Sequence, residues 1–237
     1  MHALVIGASG RTGKLVVDEL LQREHHVTAL VRNPAVIEKR DGLSIVKGKL
    51  PHSTTSKPQS NAYPLGTPTN ISDVRKVFQN HVPDVVIVAL SAPRASDSPF
   101  AAPISPPRLM TDCNTNVVTV MKESRVKKIV ILQALGVGAS WPNMSCILRL
   151  LMSKSNMSYQ YDDHNETDRA VRTSGVTSVL VRPARLVDTD VMATREWPHD
   201  GKGIPLMATA SRKSVASFLV DAAAENSWDD SAPIISN

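Results

Sequence analysis

The stretch "ALVIGASGRTGKLVVDELLQREHH" (residues 3–26) decides the fold. Its first four residues have the length and branching of a buried strand. From Thr12 onward, Leu15, Val16, Glu19, Leu20 and Arg23 recur at helical spacing with the apolar residues on one side. Gly7, Gly10 and Gly13 therefore occupy a strand-to-helix turn. A pyrophosphate needs bare backbone N–H groups and close approach. Gly7 permits the tight turn, Gly10 leaves no side chain between backbone and phosphate, and Gly13 lets helix and strand pack. With Ser9, Arg11 and Thr12 between them, these residues form the expected dinucleotide site.

The second strand, "HVTALVRNP" (residues 26–34), bears on which dinucleotide. An NAD site usually has an acid at the end of this strand, to hold the ribose hydroxyls. Here no acid appears before Glu38, and Arg32 and Asn33 stand at the strand end. A guanidinium fork suits a phosphate, so the expected cofactor is NADPH. Arg11, inside the glycine turn, is placed to lie over the adenine or to reach the same phosphate.

Working outward, the chain alternates strands and helices. Strands are expected at Ala3–Ile6, His26–Val31, Leu43–Val46, Asp84–Leu90, Lys128–Leu132 and Ser178–Val181. Helices are expected at Thr12–Glu24, Ser72–Asn80, Pro107–Ser124, Met144–Met152, His164–Ser174 and Ser211–Glu225. Runs such as "DVVIVAL" and "KKIVIL" are apolar throughout, as a parallel sheet covered on both faces requires. The expectation is one α/β domain over 1–237, a Rossmann-like doubly wound parallel sheet with helices on both faces. The final "PIISN" is expected to join a sheet edge. Residues 49–66 are polar, proline-bearing and without period, and read as a flexible insert. Residues 91–107 hold five prolines. They leave the carboxyl end of a strand, the edge where open α/β sheets bind ligands, and read as a lid or pocket wall.

Composition excludes several classes. The net charge of +5 is spread without a long basic run and aromatic residues are only 4%, so no nucleic-acid platform is expected. No apolar run approaches the ~18 residues of a membrane span. Cys113 and Cys146 have neither metal-ligand nor redox spacing and read as reduced, half-buried thiols; no metal site is expected. The first strand begins by Ala3, so no targeting segment and a cytoplasmic location are expected.

The segments "GASGRTG" (7–13), "ALVRNP" (29–34), "VMKESRVKKIVILQALGVG" (120–138) and "DDHNETDRAVRTSGVTSVLVRPARLV" (162–187) resemble the atypical short-chain dehydrogenases. Within them the chain looks like the NmrA-like group and the NADPH-dependent biliverdin/flavin reductases. The resemblance implies NADPH along residues 7–13 and 32–33, continuing past Leu90 and Ser91. It implies a nicotinamide near Gln133, Ala134 and Leu135 and near Pro183 and Arg185, with a small substrate-facing portion at 184–210. It also implies a flat, conjugated small-molecule acceptor.

The chain departs from the short-chain dehydrogenase pattern in two respects, one being that Gln133–Ala134 stands where a serine often ends strand five. Four residues after Tyr63, Tyr159 and Tyr161 stand Thr67, Asp163 and Asn165, so Tyr-x-x-x-Lys is absent. Alcohol–ketone chemistry by that route is not expected. Hydride transfer to a flavin, quinone or conjugated carbonyl remains, because the cofactor carries the hard step and the proton can come from water. His164 is the candidate catalytic group. It is expected at a helix start, with Asp163 and Glu166 as a capping box. The nearby acids would favour its protonation and the helix N-terminus would oppose it. A non-catalytic NADP sensor and a redox-silent isomerase are the alternatives.

Overall fold

A computed structural model describes residues 1–31, 33–47 and 68–237. The readings of Arg32 as a phosphate ligand and of 49–66 as an insert lie outside the described residues. In chain order the elements are β1 (His2–Ile6), α1 (Arg11–Gln22), β2 (His26–Val31), β3 (Leu43–Lys47), α2 (Ile71–Asn80), β4 (Val85–Val88), α3 (Leu109–Glu123) and β5 (Lys128–Leu132). They continue with α4 (Cys146–Lys154), α5 (Met157–Arg172), β6 (Thr177–Pro183), β7 (Arg185–Val187), β8 (Arg195–Trp197), β9 (Thr209–Ser211), α6 (Arg212–Ala224) and β10 (Ile234–Ser236).

The main sheet runs β3-β2-β1-β4-β5-β6-β10-β8, parallel throughout except that β8 is antiparallel to β10. The order reverses between β1 and β4, the switch point where a doubly wound sheet opens a crevice. β7 and β9 form a separate parallel pair.

Alternation along each strand decides which helix layer its residues meet. Ala3 and Val5 of β1, with Val85, Val130 and Val179, face α1 and α6, burying Val16, Leu20, Phe218 and Leu219. Leu4 and Ile6, with Val86, Ile129 and Leu180, face α2 and α3, burying Val77, Phe78, Val117 and Met121. Both faces are apolar, so the strands read as continuous apolar runs.

Three expectations are corrected. The C-terminal strand is not at an edge: β10 lies between β6 and β8, because residues 195–197 come back over it. The cysteines are not alike, Cys113 being buried in α3 and Cys146 exposed at the start of α4. And α5 begins at Met157, seven residues before the expected helix start at His164. Its inward positions Asp163 and Thr167 are polar, and they break the apolar period that a sequence reading follows.

Candidate functional site

The carboxyl ends of β1, β4, β5 and β6 are neighbours in the sheet, and the loops leaving them make one continuous edge. At β1, Gly7 has φ +85°, and a Cβ there would stand 2.5 Å from the carbonyl oxygen of Ala89. A Cβ on Gly13 would stand 2.0 Å from the carbonyl oxygen of Gly7. Only glycine fits at either position. The turn is closed by Gly10 N–H donating to Gly7 O at 2.9 Å, and Ala89–Leu90 lies directly against it.

The start of α1 is built differently from the other helix starts. Side chains of Asn70, Ser145 and Ser211 accept hydrogen bonds from the first turns of α2, α4 and α6, and Ser155 Oγ accepts from Met157 N at α5. At α3 the carboxylate of Asp163 accepts from Met110 N and Thr111 N at 2.8 and 2.9 Å. Among the described residues, α1 alone has no side-chain cap on its first turn. Its free N–H groups and the positive end of its dipole are left for an anion. The chemistry of this cradle fits a dinucleotide pyrophosphate; Gly7, Ser9 and Gly10 lie on the turn, and Thr12 and Gly13 in the first turn of α1.

Arg11 lies on the turn, but its fork is engaged elsewhere. Both terminal nitrogens donate to the carboxylate of Asp97, at 3.1 Å each, and both residues are exposed. Asp97 belongs to the loop 91–107. That loop is also held at α5, where Gln160 Nε2 donates to Ala92 O and Asn156 Nδ2 to Phe100 O at 2.9 Å. It therefore runs from the glycine turn to α5, as a wall along the edge beside Leu90 and Ser91. Asn33, at the end of β2, caps the short turn 34–36 by accepting from Ala35 N.

Gln133–Leu135 and Pro183–Arg185 are also brought together. Gln133 N donates to Val181 O and Leu135 N to Pro183 O, extending the β5–β6 ladder past the strand ends. Arg185 is exposed and has no ion pair among the described residues.

His164 joins this group from α5. Its Nδ1 is 2.6 Å from Oε1 of Gln133, a residue 4% exposed. One turn earlier on the helix, Tyr161 donates its hydroxyl to Leu135 O at 2.9 Å. Burial pushes the Tyr161 phenol up to about 12, so it is not an activated acid. Tyr159 points outward and is exposed.

The capping box is overturned. Asp163 lies within α5, buried, and caps α3 instead of its own helix, with Thr111 Oγ1 as a third donor at 2.6 Å. Glu166 pairs with Arg108. Asp163 thus staples α5 to α3 and sets the rotation of α5, which aims His164 at Gln133. Nothing local to residues 157–172 signalled this, because the partner is more than 50 residues away in the chain.

The charge of His164 is settled by its surroundings. Burial lowers its pKa from 6.5 to about 4, with Asp163 opposing only in part. At neutral pH the imidazole is uncharged. The unfolded chain takes up this proton at a higher pH than the folded one, so stability is lost as pH falls from 6.5 toward 4. For this group the loss is up to ~3 kcal/mol. His164→Gln should flatten that part of the curve. Urea unfolding of both proteins at pH 7, 5.5 and 4.5 checks this, and parallel curves would refute it.

Residues 7–56 and 54–226 match the family model described as NAD(P)H-binding. The chain belongs to the NAD(P)H-binding family. Solved structures share its fold over nearly its whole length. A short-chain dehydrogenase/reductase of Veillonella parvula in complex with NADP superposes with TM-score 0.73 at 12% identity, covering 100% of this chain and 94% of that one. An anaerobillin reductase of Escherichia coli O157:H7 gives 0.71 at 14%, covering 99% and 96%. A Rossmann-fold NAD(P)-binding family protein of Shigella flexneri gives 0.66 at 19%, covering 100% and 93%. No helix among the described residues is long and apolar enough to cross a membrane.

Proposed function

We propose that the protein is an NADPH-dependent oxidoreductase that reduces a flat, conjugated small molecule such as a flavin, quinone or enone. The observation that carries this reading is the junction of two features on one sheet edge. The uncapped glycine turn fits a pyrophosphate, and the Gln133–His164 pair stands two strands away along the same edge. Large apolar side chains support the acceptor class. Phe100 and Ile104 follow β4, Ile147 and Leu150 follow β5, Met192 follows β7 and Met207 follows β8, and all six are exposed. A contiguous exposed apolar patch marks a binding region, and these residues are the ones read as contributing to it. The portion 184–210, carrying Arg185 and Met192, is read as facing the substrate.

When bound, the nicotinamide supplies a hydride, which carries two electrons to the acceptor. The chain's own residues bind and orient. Amides of the glycine turn hold the pyrophosphate, and the loop 91–107 walls the edge. Neutral His164 gives no proton at pH 7, so the proton that completes the reduction comes from water. An acceptor whose reduced form is a stabilised anion tolerates this; a simple ketone does not.

The test is NADPH oxidation against a panel of flavins, quinones, enones and simple ketones. Reduction of conjugated acceptors and not of ketones supports the reading. Tight NADPH binding with no acceptor reduced overturns it in favour of a sensor. Preference for NADPH rests on Arg32. A charge-assisted phosphate pair contributes about 1.5–3 kcal/mol, or roughly ten- to a hundredfold in affinity. Arg32→Ala should remove that preference while leaving NADH binding nearly unchanged, as read by nicotinamide fluorescence. Equal loss for both cofactors would refute the assignment.

A further inference from the structure

We propose that Gln133 is a positioning residue that holds His164 in its Nδ1–H form, leaving Nε2 with a free lone pair that accepts a hydrogen bond from an N–H or O–H group of the substrate. The inference deepens the function proposed above and rests on it for the substrate alone; the form of the imidazole does not depend on it.

Two observations carry it. The contact between His164 Nδ1 and Gln133 Oε1 is 2.6 Å, at the short end for an N–H···O bond. Turning the amide over would press two nitrogens to that distance. Nδ1 is then the protonated nitrogen of a neutral ring, and the other nitrogen is an acceptor. Second, Nε2 has no hydrogen-bond partner among the described residues, yet it is not among the sealed, unpartnered polar atoms. The ring is half-buried, and this nitrogen keeps contact with solvent. By contrast Gln133 Nε2 is sealed and unpartnered, so the amide serves the imidazole and not the ligand. The groups facing the ring are the Asp163 carboxylate beside it on α5 and the Tyr161 ring, whose centroid is 6.5 Å away. Neither supplies a competing partner for Nδ1.

A substrate acceptor site of this kind discriminates between flat acceptors. A cyclic imide or amide offers an N–H beside its conjugated system, and a quinone offers none. A site that hydrogen-bonds a substrate group rejects analogues lacking it, because its own polar atom is then left unpaired.

The experiment is a two-bond ¹H–¹⁵N correlation on the full chain labelled in its imidazoles, without cofactor or acceptor, with His164→Gln assigning the signal. The wild type should show Nδ1 protonated and Nε2 bare. Gln133→Leu should shift the balance of the two forms by roughly five- to tenfold toward Nε2–H, the loss of one hydrogen bond. Gln133→Glu should keep Nδ1 protonated and raise the titration midpoint by roughly one to three pH units. In turnover, Gln133→Leu should lower the kcat/KM ratio of imide-bearing to quinone acceptors by a similar factor. A wild-type ring protonated at Nε2 overturns the proposal, and so does a Gln133→Leu ring with its form unaltered. If the ring behaves as stated and no acceptor is reduced, the positioning role stands and the proposed oxidoreductase function falls.

Discussion

Gly13→Ala is expected to lower the melting temperature by roughly 6–12 °C and to weaken NAD(P)H binding at least about tenfold. The added methyl would stand 2.0 Å from the carbonyl oxygen and 2.7 Å from the carbonyl carbon of Gly7, and 3.0 Å from the Ala8 Cα. These are backbone atoms of the turn and cannot rotate away. Either α1 lifts from β1, or the turn opens and its N–H groups lose their common aim. Overpacking of this kind costs about 1–3 kcal/mol, and the upper end applies where backbone must move. Gly175→Ala is the control. It has positive φ, at +78°, which Gly13 does not, but a methyl there meets nothing within 4 Å. It should cost only the backbone strain, ~1 kcal/mol, and leave cofactor binding intact. Thermal unfolding and fluorescence titration of both variants distinguish a packing effect at the turn from a general intolerance of glycine substitution. Equal behaviour of the two would refute the packing account.

Asp163→Ala is expected to cost about 3–5 kcal/mol, which reads as a loss of roughly 6–20 °C in melting temperature. Removing the carboxylate leaves Met110 N, Thr111 N and the Thr111 hydroxyl without their acceptor in a buried place. Hydrogen bonds to a charged group are the stronger kind, and leaving their donors unpaired adds a desolvation penalty. Asp163→Asn should recover part of the loss, since its amide oxygen can still accept one of these bonds. The variant also tests how the site is aimed. If α5 rotates once its staple to α3 is gone, the His164 signal in the imidazole correlation should move even in the variant that folds. A capping box local to α5 would instead predict a small effect, about 1 kcal/mol, confined to the helix end.

The glycine turn was legible because its chemistry is local: Gly7, Gly10 and Gly13 are read from strand, turn and helix within a dozen residues, and the structure supplies the clashes that make glycine obligatory at Gly7 and Gly13. The start of α6 at Ser211 was legible for the same reason, since the Ser211 hydroxyl and the Ser214 N–H it accepts from are three residues apart. Asp163 was not. Its form, an acid three residues before Glu166, matched a local motif, while its actual partners belong to a helix that tertiary packing brings alongside. The error moved the start of α5 and gave His164 the wrong setting.

What the sequence by itself determined is the alternation of apolar strands and helices, and with it the doubly wound sheet and the dinucleotide turn at its first crossover. These follow from periodicity and from backbone sterics, which act over a few residues. Only the tertiary structure decided which strand the C-terminus joins, where Arg11 directs its charge, and that His164 meets Gln133 across 31 residues of chain as an uncharged ring. Those outcomes depend on burial and on partners distant in sequence. The free energy of a charge or a hydrogen bond is set by what surrounds it after folding, and not by its neighbours along the chain.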